Sequence, residues 1–248
     1  MKNFLLTLTL FSQLLFSATS EQLEQYLLLS NSDEQLIMLE KEFSVMQENF
    51  KKDSNKSYDM QMLTIRFKES LQKQLSEDEM KEILDNYKNF TLLQFVSATS
   101  TFDYDDNTTQ EYLKNLKQDE EANNRVTLVK KISQKFYNKE AILVLFNDLM
   151  KPLIKNSFKD KPLDEKILKS LQATYLENTI ESSLNETLFA TKEFSIEELE
   201  ELLKIAKTPA IEHEVKAVFK AMAFCLKDFF LSISIGYNVE KHQTYEKK

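Results

Sequence analysis

The chain has 248 residues, of which 42% are hydrophobic and 29% are charged, so it can bury a sizeable core in one or two domains. Its formal net charge of −8 at pH 7 argues against nucleic acid and against broad attraction to anionic membranes as partners. The single glycine excludes a glycine-rich phosphate loop and a glycine-framed nucleophile elbow. Because no segment shows sustained strand alternation, we expect an all-α fold of long helices and polar loops.

The first twenty residues are organised like an export signal. Lys2 supplies one positive charge before the apolar stretch 4–16, and the small residues at 18–20 are suitable for cleavage. We therefore predict a signal peptide over residues 1–20, with an uncleaved N-terminal anchor as the alternative. The only cysteine is Cys225, so no intramolecular disulfide can form. Export without disulfides is compatible with a bacterial periplasm, which is the predicted location.

The predicted mature chain divides into two helical stretches with a charged stretch between them. We assign residues 21–103 to helical repeat 1 and residues 125–236 to helical repeat 2. The charged stretch 104–124 reads as a linker and an exposed helix, and residues 237–248 read as a polar tail. Apolar residues at helical spacing predict the individual helices. These cover 21–29, 33–50, 60–75, a hairpin from 75 to 102, 126–137, 141–154, where Pro152 kinks or ends the helix, and 163–189.

The strongest local pattern is a helical hairpin that begins at Phe194. Ser195 is a good N-cap, and Glu198 is placed to complete a capping box with it. Phe194 and Leu199 are spaced to close a hydrophobic staple around that cap. Thr208-Pro209 then ends this helix and opens the next one, because proline is well suited to the first helical position.

The helix after Pro209 has one wide apolar face, which predicts a buried central helix. Its charged residues argue against a membrane span, since each would cost roughly 3 kcal/mol at the centre of a bilayer. Peripheral association with an envelope membrane through this helix is an alternative. A homodimer that buries Phe224, Phe229 and Phe230 against a second copy is another.

A fainter copy of the hairpin lies upstream, starting at Leu75-Ser76. Ser76 and Glu79 match Ser195 and Glu198, in each case 119 positions later. The following apolar positions match in the same register, and Asn89 falls opposite Thr208, both being helix-capping residues. We therefore expect an internal duplication of domain size, so that the fold consists of two related helical bundles.

Few residues suggest chemistry. His213 has glutamates on both sides, but sequence neighbours point in different directions on a helix, so they make no metal cluster. Cys225 lies on or beside an apolar face, where a buried, inert thiol is expected. We assign no catalytic, cofactor-binding or metal-ligating residue and predict no cofactor. A hydrolase that uses clustered carboxylates or Cys225 is the alternative function.

The hairpin resembles a bacterial family named domain of unknown function 2059. The resemblance rests on Phe194-Ser195-Ile196-Glu197-Glu198-Leu199, on Ala206-Lys207-Thr208-Pro209, and on the earlier copy from Leu75-Ser76 to Asn89-Phe90. It implies an exported helical protein and carries no activity. We therefore expect a non-enzymatic interaction or ligand-binding module, whose partner is an unknown protein or a small apolar ligand.

Overall fold

The computed structural model describes residues 17–50, 61–100, 107–116, 122–157 and 164–236. These ranges are helical with short connections, and the only β-type pairing within them is an isolated antiparallel bridge between Ser17 and Ser76. The all-α prediction is therefore confirmed. The helices are α1 (Ser20–Leu29), α2 (Ser32–Phe50), α3 (Gln61–Gln74), α4 (Glu77–Asn86), α5 (Phe90–Ser100), α6 (Asn107–Leu116), α7 (Asn123–Phe136), α8 (Lys139–Leu145), α9 (Lys151–Ser157), α10 (Glu165–Ala190), α11 (Ile196–Ala206) and α12 (Pro209–Gly236).

Both predicted capping boxes are present. Ser76 N donates to Glu79 Oε2 at 2.8 Å, and Glu79 N donates to Ser76 Oγ at 3.2 Å. At the start of α11, the corresponding bonds of Ser195 and Glu198 measure 2.7 and 3.2 Å. Each box satisfies amide groups that have no partner within the first helical turn, which is why α4 and α11 begin where the sequence predicts.

Helices α8 and α9 are joined by a π-helical turn, Phe146–Met150, instead of being separated. Lys151 N donates to the carbonyl oxygen of Phe146, five residues back. Pro152 follows directly, and a proline inside a helix lacks the N–H and crowds the carbonyl four residues before it. The wider π turn makes room for the proline ring. The chain therefore stays helical through Pro152, where the sequence predicted a kink or an end.

Helix α12 is the centre of the molecule, as its apolar face predicts. It contacts α2, α3 and α4 from the N-terminal half (residues 17–100), and α7, α8, α9 and α11 from the C-terminal half (residues 122–236). Phe229 of α12 is fully buried and stacks on Phe43 of α2, with ring centroids 4.7 Å apart. Among the described helices, none combines the length and the hydrophobicity needed to cross a bilayer.

The two halves pack reciprocally. Helix α12 of the C-terminal half contacts α3 and α4, while α5 of the N-terminal half contacts α10 and α11. Side chains from both halves belong to one hydrophobic cluster, which includes Leu71 and Met80 from the first half and Val129 and Leu199 from the second. The predicted repeats therefore share a core, and burial in each half depends on the other.

The stretch predicted as a linker and exposed helix contains α6, which packs on α10. Thr109 and Leu113 are buried, and the Tyr112 ring contacts Phe189 at a centroid distance of 5.9 Å. One face of this helix therefore belongs to the folded body, although its sequence pattern is weak. Residues 1–16 of the predicted signal peptide and the predicted tail, 237–248, lie outside the described residues.

The first described residues are part of the fold. Ala18 is buried, and its amide donates to the Leu75 carbonyl at 2.9 Å. Thr19 is the N-cap of α1 and forms a capping box with Gln22. These contacts lie upstream of Glu21, the residue at which the sequence predicts that the mature chain begins.

Candidate functional site

A cavity of about 390 Å³ lies where the turn between α7 and α8 meets the turn between α11 and α12. Its charged lining consists of Lys135, Lys139, Lys207, Lys216, Glu140 and Glu212. Because lysines are the most frequent lining residue, we call it the lysine cavity. The remaining lining combines polar side chains with small apolar ones, namely Gln134, Asn138, Thr208, Ala141, Val144 and Ala206.

Local capping places two helix starts at this cavity. Asn138 is the N-cap of α8, and its Oδ1 accepts from Ala141 N at 2.9 Å. Thr208 precedes α12, and its Oγ1 accepts from Ile211 N at 3.4 Å. Pro209, the first residue of α12, has no N–H to leave unsatisfied. Since both turns are held by side-chain bonds, the cavity has preformed walls.

The lysines carry the electrostatic character of the cavity. Four lysines and two glutamates line it, which leaves a formal excess of two positive charges. In the described part of the chain, none of these lysines has a carboxylate oxygen within 4.0 Å. The whole chain carries a net charge of −8, so this is a local reversal of the overall sign. A cavity of this kind attracts anions.

The opposite side of the same stretch of α12 is anchored to the N-terminal half through Glu214. Glu214 is 7% exposed, and its Oε1 accepts hydrogen bonds from Tyr26 at 2.9 Å and from Tyr87 at 2.5 Å. Tyr26 belongs to α1, and Tyr87 follows α4. The two tyrosine rings meet edge to face at 5.8 Å. Three segments of the chain therefore converge on one buried carboxyl group.

Burial raises the pKa of Glu214 to about 7, although the hydroxyl groups of Tyr87 and Tyr26 act in the opposite direction. Desolvation outweighs the hydrogen bonds because a charged carboxylate is strongly disfavoured away from water. Its Oε2 is buried without a hydrogen-bond partner among the described residues. Glu214 therefore keeps its proton in mildly acidic solution and is about half ionised at pH 7.

Three further contacts hold the turn before α12 and the middle of α11 against the N-terminal half. Asn86 Nδ2 donates to Thr208 Oγ1 at 3.0 Å. Asn89 Nδ2 and Thr91 Oγ1 both donate to the Glu201 carboxylate, each at 2.7 Å. The first bond reaches the α11–α12 turn, which forms one wall of the lysine cavity, and the other two reach the middle of α11.

The residues singled out in the sequence are separated in the structure. His213 Nδ1 lies 3.0 Å from Glu79 Oε1, so its neighbour in space is the capping carboxylate of α4. Cys225 is fully buried within the core. Among the described residues, no group of three or more His, Cys, Asp or Glu side chains is arranged to hold a metal ion.

The sequence alone did not predict the lysine cavity or the burial of Glu214 between Tyr26 and Tyr87. Glu214 was noted only as a neighbour of His213, and the lining lysines lie in separate stretches at 135–139 and 207–216. A signal for Glu214 was available, since it falls on the apolar face of α12, between Ile211 and Val215. An acidic residue at such a position is buried and needs partners.

Comparisons with known proteins identify no relative of this chain. The chain matches no protein-family model, and neither a curated protein nor a solved structure shows significant similarity to it.

Proposed function

We propose that this protein is an exported, non-enzymatic binding module and that the lysine cavity is its ligand site. The observation that carries the proposal is a cavity of about 390 Å³ with preformed walls and a charged lining. The volume lies within the range of roughly 300–1,000 Å³ that is typical of ligand sites for small molecules, while the lining is more polar than in most such sites. The side chains of Asn138 and Thr208, which cap α8 and α12, hold two walls of this cavity in place.

The nature of the lining favours a polar ligand over the small apolar ligand expected from the sequence. Only Ala141, Val144 and Ala206 contribute apolar side chains to it. The alternative hydrolase receives no support from Cys225, because a thiol without exposed surface cannot meet a substrate. Binding is therefore the function that fits this site best.

The proposal includes an internal duplication. Capping boxes 119 residues apart, at Ser76 and Ser195, open equivalent helices. The helices that follow them, α5 and α12, each pack against the opposite half. The likeness to domain of unknown function 2059, and with it export to the periplasm, rests on the same capping pattern and on the N-terminal sequence.

The second candidate function is self-association through α12. Phe224 is 55% exposed, which supports a contact with a second copy. However, Phe229 and Phe230 both pack on Phe43 of the same chain. Only one of the three expected aromatic residues is therefore largely exposed, and ligand binding remains the leading proposal.

Blocking the cavity tests the proposal. Val144 lines the cavity and is half-buried, so V144W would fill it, whereas V96W places the same bulk at a half-buried position outside it. Thermal shift measurements would screen a panel of anionic, neutral and cationic metabolites against the wild type and both variants. We expect hits that stabilise the wild type and V96W but not V144W. Compounds that stabilise the wild type, V144W and V96W equally would refute the assignment of this site. So would a panel in which no compound stabilises the wild type.

A further inference from the structure

We propose that the ligand of the lysine cavity is a phosphate monoester whose organic part carries hydroxyl groups. This inference rests on the proposed binding function and names the chemical class of the ligand. It is drawn from the positions and charges of the lining residues.

The four lysines approach the cavity from four places in the fold. Lys135 lies near the end of α7, Lys139 at the start of α8, Lys207 in the turn after α11, and Lys216 on α12. None of them has a carboxylate partner within 4.0 Å in the described ranges. Like charges gathered around one concavity repel each other, and a bound anion relieves that repulsion.

The charge of the lining indicates the charge of the ligand. Subtracting Glu140 and Glu212 from the four lysines leaves an excess of two positive charges. A phosphate monoester carries about −1.5 to −2 at pH 7, which matches this excess. The cations that line the cavity are lysines, and lysine binds phosphate as a compact point charge.

The two glutamates indicate what the rest of the ligand offers. Glu140 and Glu212 are exposed at the rim of the cavity, where their carboxylate oxygens can accept hydrogen bonds from donors on a ligand. Hydroxyl groups supply such donors without adding charge. The amide side chains of Gln134 and Asn138 can both donate and accept, which also suits a hydroxylated ligand. The volume of about 390 Å³ accommodates a small molecule of this kind.

Isothermal titration calorimetry at pH 7.5 and low salt tests the inference with four probes: glucose 6-phosphate, inorganic phosphate, glucose and citrate. We expect glucose 6-phosphate to bind tightest, inorganic phosphate more weakly, and glucose not at all. The variants K139Q and K216Q should each weaken glucose 6-phosphate binding by about tenfold, since each removes a charge-assisted contact. E212Q removes an acceptor proposed for the sugar hydroxyl groups. It should therefore reduce the difference in affinity between glucose 6-phosphate and inorganic phosphate.

Lys169 is exposed on α10 outside the cavity, so K169Q is the control for a general charge effect and should bind like the wild type. Circular dichroism would verify that each variant is folded. Citrate binding as tightly as glucose 6-phosphate, or an equal loss in K169Q, would overturn the phosphate inference.

The calorimetry and the thermal shift measurements together distinguish a wrong ligand class from a wrong binding site. If the four probes fail but another metabolite stabilises the wild type and not V144W, the ligand class is wrong and the binding function stands. If neither the four probes nor the panel of metabolites shows binding that V144W abolishes, both proposals are refuted.

Discussion

Replacing Glu214 with glutamine should remove a large pH dependence of stability. Glu214 is buried between Tyr26 and Tyr87, and burial raises its pKa from the ordinary 4.5 to about 7. Glutamine has nearly the same shape and can accept both tyrosine hydrogen bonds, but it has no ionisable proton. E214Q therefore isolates the effect of ionisation from the effect of packing.

The sign of the effect follows from proton binding. Between pH 4.5 and 7 the folded chain keeps the proton on Glu214, whereas the unfolded chain has released it. The stabilisation is therefore fully present below pH 4.5 and is lost as the pH rises to about 7. One pKa unit corresponds to about 1.4 kcal/mol, so the rise from 4.5 to about 7 corresponds to about 3 kcal/mol. Other groups titrate in the same range, so only the difference between wild type and variant reports on Glu214.

Urea denaturation of the wild type and E214Q between pH 4 and 8.5 would measure this difference. We expect the wild-type free energy of unfolding to fall relative to that of E214Q by about 3 kcal/mol across this range. E212Q changes an exposed glutamate on the same helix, and its unfolding free energy should run parallel to the wild type. A difference between wild type and E214Q that stays constant with pH would refute the buried, protonated state of Glu214.

Three further predictions concern the helix starts and the core. S195A removes the capping box of α11 and should lower the free energy of unfolding by about 1 kcal/mol in urea denaturation, and an unchanged midpoint would contradict the cap's contribution. A chain that starts at Glu21 lacks the Thr19 cap and should be less stable than one that starts at Ser17 by about 1 to 2 kcal/mol, and equal thermal midpoints would contradict this. F229A should cost about 3 to 5 kcal/mol because its ring is fully buried. The exposed control F224A should cost less than about 1 kcal/mol, and similar losses for both would contradict the central packing of α12.

Local patterns in the sequence were sufficient to predict several elements of the fold. The boxes at Ser76 and Ser195, and the helix start after Thr208, depend on residues three or four positions apart, whose geometry is set within one helical turn. The apolar face of α12 predicted its central position, because a helix that is apolar over so wide a face must be covered. Scarcity of glycine and lack of strand alternation predicted the fold class.

The lysine cavity and the partners of Glu214 were decided by the tertiary structure. Tyr26 lies 188 positions from Glu214, and Lys135 lies 81 positions from Lys216. No periodic pattern links positions so far apart in the chain, because their distance depends on how the two halves pack on α12. The order of residues determines which helices form and which faces are apolar. The packing of those faces against each other decides which polar groups become neighbours. It does so because packing sets the distances over which charges and hydrogen bonds act.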